Sequence, residues 1–287
     1  GDVLRLAGGL YDGIDNRGIE LAVNITLTGP PPSPLCPDSV FTALAEALVA
    51  RAPNRPVALA VPPSGQFHGS WAEPGCGSAP AFASRHLEFP PSGAEIPLPS
   101  VTDVMAAVGI DASCVPILDG GGVTRVLAFS LDSTSSDPQS SWVHVGLHRL
   151  VISDGSAESR GGALYIGKAT VADLTDVVLY NSTAGNLGGG AYIGSRVGTV
   201  RGLSAVWCTA ERGGGLGIGF MGRPVVLSQL LVAYNAAATV GGGLFSVCTT
   251  LQLEDATLIG NLATVGGGMF ANVGLHRLAV TRACLPE

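Results

Sequence analysis

The chain has 287 residues, of which 46% are hydrophobic and 13% charged, with 41 glycines and a formal net charge of −7. An acidic balance with no cluster of arginines argues against nucleic acid as a partner. No uninterrupted apolar run reaches the roughly 18 residues of a membrane-spanning helix.

From Gly1 to Gly29, GDVLRLAGGLYDG and GIELAVNITLTG with the link between them read as short strands broken by glycine turns. Within that stretch, Asp12, Asp15, Asn16 and Glu20 lack the spacing of a calcium loop and read as an Asx turn. From Pro30 to Ser113 the pattern stops. This insertion opens on PPPSPLCP, which favours polyproline II, and continues with a predicted helix over 39–52. Asp38 or Ser39 caps that helix, Pro53 ends it, and Phe41, Leu44, Leu48 and Val49 form an apolar face suited to packing on a flank.

The part 114–287 is repetitive. Glycine runs begin at Gly161, Gly188, Gly213, Gly241 and Gly266, a nearly constant spacing. Late in each of the first four periods comes a second column, read as Asn181, Cys208, Asn235 and Asn261. VGLHRL occurs at 145–150 and again at 273–278. Between these marks lie β-branched and Leu-rich pieces too short for capped helices, so each period is two or three strands joined by tight turns. One such coil cannot bury its own apolar face, so the coils stack. Stacking at about 4.8 Å per step would turn the second column into a ladder of side-chain amides. The expected fold is all-β, a parallel β-helix solenoid with a Pro-rich insertion carrying one short helix. Its divisions are 1–29, 30–113 and 114–287.

The six cysteines, Cys36, Cys76, Cys114, Cys208, Cys248 and Cys284, include no C-x-x-C pair, so they read as disulfide candidates rather than zinc ligands. Their connectivity stays open, and Cys208 also suits a buried ladder position. Asn24-Ile25-Thr26 and Asn181-Ser182-Thr183 are glycosylation sequons.

The glycine runs followed by N-x-x-A resemble the repeats of polymorphic outer-membrane-protein type found in right-handed parallel β-helix proteins of pectin-lyase-like fold. The segment 1–29 and ILDGGGVTRVLAF at 117–129 resemble the opening coils of such domains. The resemblance implies a non-enzymatic structural or adhesive segment of a larger extracellular or cell-surface protein, without cofactor. Its partners would be other subunits or flanking segments at open solenoid ends, and cell-wall or surface glycans. The chain opens inside the pattern at Gly1 and stops before the next column residue, which favours a piece of something longer.

The alternative is a polysaccharide lyase or hydrolase, or a carbohydrate-binding β-helix. It needs convergent carboxylates and a basic residue near the sugar acid. The carboxylate candidates are Asp173 with Asp176, Glu254 with Asp255, and Asp119 near Arg125. Aromatic candidates are Trp142, Tyr165 and Tyr192, the two tyrosines sharing one repeat position. His144 and His148 would share a face only in a helix, and read as ordinary surface or turn histidines in a strand.

Overall fold

The computed structural model describes residues 2–12, 18–21, 23–50, 98–130, 142–167, 170–194, 196–219, 225–247, 250–271 and 278–281. The chain is an all-β parallel solenoid of about seven coils. Each full coil visits four strips. The first strip stacks Asp2–Arg5, Ile25–Thr28, the leading halves of Val143–Ser153 and Thr170–Tyr180, then Arg196–Arg201, Val225–Ser228, Leu251–Glu254 and Leu278–Thr281. The second stacks Gly9–Tyr11, Pro116–Asp119, the trailing halves of the two long strands, Ser204–Val206, Leu231–Ala233 and Thr257–Ile259. A third, narrow strip contains Ser156–Ala157, Thr183–Ala184, Thr209–Arg212 and Ala236–Val240. The glycine strip holds seven strands, from Ile19–Leu21 to Met269–Ala271.

Alternation within these strands sends every second side chain inward. Leu147, Leu150, Ile152, Leu164, Ile166, Leu174, Leu179 and Leu227 are all completely buried in one continuous axial core. Burial of each such side chain contributes about 1.5–3 kcal/mol.

The corners between strips are single residues in the left-handed region, stacked in register. Between the first and second strips they are Arg149, Asp176, Gly202, Gln229 and Asp255, with φ from 51° to 66°. Between the second and third they are Asp154, Asn181, Trp207, Tyr234 and Gly260, with φ from 46° to 61°. Before the glycine strip come the first glycines of the five runs, with φ from 61° to 67°. The second glycine of each run is held by contact instead. A Cβ on Gly189 or Gly214 would run into the carbonyl oxygen of the same position one coil on. The recurring GGG is therefore one corner plus one close approach between coils.

The insertion leaves the solenoid after Gly29, which lies against the Arg149 carbonyl, and rejoins at Pro116 beside it. It carries two helices among the described residues, not the single one expected over 39–52. Helix α1 runs Val40–Ala50, and α2 runs Val101–Val108. The second starts at Ser100, whose Oγ accepts from the Asp103 amide, and stops at Gly109, left-handed at φ 73°. The 51–97 stretch lies outside the described residues.

Both helices lie on the outer surface of the second strip. Phe41, Leu44, Leu48, Val101, Val104 and Met105 pack on Ile117, Val151, Val178, Val206 and Ala233. The middle of that strip is thus buried on both faces, which is why its strands there read as apolar runs such as LVIS and VVLY. A Cys36–Cys114 disulfide joins the two ends of the insertion. Arg149 fastens it further. Its guanidinium donates to the Pro30 carbonyl (2.9 Å), the Cys36 carbonyl (3.2 Å) and the Asp38 carboxylate (2.7 Å), and lies over the Phe41 ring.

Candidate functional site

The inward column after the second strip is Gly155, Ser182, Cys208, Asn235 and Asn261, as the strand register requires. Ser182, not Asn181, therefore occupies this position. Asn181 is one residue earlier, at the left-handed corner, with its Nδ2 donating to Asp154 Oδ1. The physical reason is that asparagine suits both places: it tolerates φ > 0 and it can ladder. Within the column, each residue serves the coil before it. Asn261 Oδ1 accepts the Asn235 amide at 3.0 Å, Asn235 Oδ1 accepts the Cys208 amide at 2.8 Å, and Ser182 Oγ accepts the Gly155 amide at 3.0 Å.

Cys208 is a free, fully buried thiol rather than half of a disulfide. Its Sγ faces the Val206 carbonyl at 3.5 Å, and burial pushes its pKa up to about 12. It fills the column as a small apolar group that carries no reactive thiolate. Cys76, Cys248 and Cys284 lie outside the described residues.

The carboxylates considered for chemistry serve the backbone or their neighbours. Asp173 Oδ1 accepts the Thr199 amide at 2.6 Å, beside a shift in register between adjacent strands. Asp119 Oδ1 accepts the Gly121 amide at 2.6 Å. Arg125 is not paired with Asp119: it donates to the Gly161 and Arg160 carbonyls and lies over the Tyr165 ring. Glu254 accepts from Gln252 at 2.6 Å, while Asp255 is a left-handed corner residue. Asp173 and Asp176 do share one strand, but the chain turns at Asp176, with φ 54°. Burial raises the Asp176 pKa, with Arg149 opposing and Asp38 adding. Asp154 is raised in the same way by burial, opposed by the Asn181 hydrogen bond and reinforced by Asp119. Asp15 and Asn16 lie outside the described residues, and Glu20 sits in a glycine-strip strand opposite Ala128.

His144 and His148 do share the outer face of one strand, with Gly146 between them, contrary to the expectation that only a helix would align them. Strand side chains repeat every second residue, so positions four apart agree in direction but stand about 13 Å apart along the strand. Among the described residues, no three His, Cys, Asp or Glu side chains gather to hold a metal ion. No helix there is long and apolar enough to cross a membrane.

Two outer surfaces bring chemistry-bearing side chains into register along the axis. On the first strip, Thr28, His148, Thr175, Arg201, Ser228 and Glu254 form one polar row, a coil step of about 4.8 Å apart. The α1 and α2 packing residues meet the second strip, not this row. On the glycine strip, Tyr165 and Tyr192 stack at 5.6 Å, with Arg160 over Tyr192. One glycine further along the same outward position, Phe245 and Phe270 stack at 5.9 Å. Tyr192 and Phe245 are 8% and 7% exposed, so their ring faces are spent on packing rather than offered to a ligand.

The chain matches no protein-family model, no curated protein and no solved structure.

Proposed function

We propose that the chain is a non-enzymatic structural or adhesive segment of an extracellular or cell-surface protein. In this reading it is a pectin-lyase-like β-helix with repeats of polymorphic outer-membrane-protein type. The carrying observation is that its candidate catalytic groups are used in building coils. Asp173 and Asp119 cap backbone amides, Arg125 holds two carbonyls, and Asp176 and Asp255 turn corners. The buried Cys36–Cys114 bridge supports an oxidising compartment. Its partners in this reading are further protein segments or subunits and surface glycans, met across the polar row of the first strip.

Protease shaving of intact cells tests the setting. Peptides of this chain should be released while a cytosolic control protein stays intact. Recovery of those peptides only after lysis would refute the reading. The second reading, a carbohydrate-binding or carbohydrate-cleaving β-helix, is favoured by the same row, whose hydroxyls, imidazole, guanidinium and carboxylate recur at a spacing suited to an extended polymer.

A further inference from the structure

We propose that Asn24 carries an N-linked glycan and that Asn181, the second sequon, does not. The inference rests on the extracellular reading and adds which residue is modified. Asn24 is exposed and stands immediately before the strand Ile25–Thr28, not within it. Its Oδ1 accepts the His144 amide of the next coil at 2.7 Å. The amide plane is therefore oriented with its oxygen on the protein, and Nδ2 makes no hydrogen bond among the described residues. Glycosylation uses that nitrogen and leaves Oδ1 intact, so the contact between coils survives modification.

The transfer balances with a lipid-linked oligosaccharide diphosphate as donor. The Nδ2–C1 bond forms, the C1–O bond to phosphate breaks, the diphosphate leaves with the electron pair, and one Nδ2 proton is lost to base. Asn181 meets the opposite conditions. It is only partly exposed, and its Nδ2 already donates one hydrogen to Asp154 Oδ1 within the corner. Asp154 and Trp207 flank it one coil step away on either side, and Trp207 is 6% exposed and stacked on Tyr234. A sugar on that nitrogen would have to displace this packed corner.

The test is peptide mapping of the native full chain before and after enzymatic removal of N-glycans, which leaves an aspartate at each occupied position. The same mapping is run on Thr26→Ala, which destroys the sequon without touching the Asn24 amide. A glycan on the Asn24 peptide, absent from the Asn181 peptide and abolished by Thr26→Ala, is the expected result. A bare Asn24 peptide in protein whose Cys36–Cys114 bridge is oxidised overturns the proposal and leaves the extracellular reading standing. A glycan on Asn181 overturns the discrimination between the two. A bare peptide with both cysteines reduced overturns the site and the extracellular reading together.

Discussion

Asn235 donates from Nδ2 to Asn261 Oδ1 at 3.0 Å, and Asn261 Oδ1 also accepts the Asn235 backbone amide at 3.0 Å. One carboxamide oxygen thus ties two coils together twice. Asn235 is completely buried and in addition donates to the Ala205 carbonyl and accepts the Cys208 amide. Asn235→Ala strands that buried amide and carbonyl, so a loss of about 2–4 kcal/mol is expected in denaturant unfolding. Asn261→Ala, at a partly exposed rung, should cost less.

Gly215 and Asn235 are coupled. A Cβ at Gly215 would stand 2.9 Å from Asn235 Nδ2 and 2.8 Å from the Gly243 oxygen. The equivalent position two coils earlier is Ala163, in the coil whose column residue is the smaller Ser182. Gly215→Ala should therefore destabilise by about 1–3 kcal/mol. Combined with Asn235→Ser it should cost less than the sum of the two single changes. Additivity in this double-mutant cycle would argue against the contact.

Arg149 and Asp38 are unequal partners in their 2.7 Å ion pair, with side chains 8% and 74% exposed. Arg149→Ala leaves the Pro30 and Cys36 carbonyls without their donor and should cost about 2–4 kcal/mol. Asp38→Ala removes a solvent-screened partner and should cost no more than about 1 kcal/mol. Thermal melts of the two variants check the asymmetry.

Cys208 should resist alkylation at pH 8 in native protein and react fully once the chain is unfolded, because its pKa is raised to about 12 and its sulfur is buried. Mass mapping of the Cys208 peptide reads this directly.

Asp154 has a folded-state pKa above the ordinary aspartate value, chiefly from burial. The folded state therefore holds the proton more tightly, and stability is lost as pH rises through the folded pKa. Asp154→Asn keeps an Oδ1 acceptor for Asn181 and suits the φ of 52°. It should raise the melting temperature at pH 7 and lose that advantage in acid, below the ordinary aspartate value. An equal effect in both conditions would contradict the burial argument.

The stacked-coil architecture was legible because one of its three left-handed corners is made almost wholly of glycine. The other two corners were not, because Arg149, Gln229, Trp207 and Tyr234 carry no mark of a positive φ. Those side chains are held there by register with their neighbours, a constraint that propensity does not record. The same blindness shifted the ladder by one position at Asn181, since coils of unequal length do not define a column to a single position. Helix α2 had visible signals in Ser100 and Gly109, obscured by the Pro-rich sequence before them. The disulfide partner of Cys36 was open among six cysteines and is settled by where the insertion leaves and rejoins the solenoid.

The most direct measurement of the central claim is a turnover assay of purified chain on uronic-acid polymers and neutral wall glycans, run beside Asp173→Asn and Asp176→Asn. A structural segment should give no cleavage or epimerisation in any of the three proteins, with the Asp173 change read out only as altered stability. Product formation by the parent chain that either substitution abolishes, while the variant still melts as a folded protein, would contradict it.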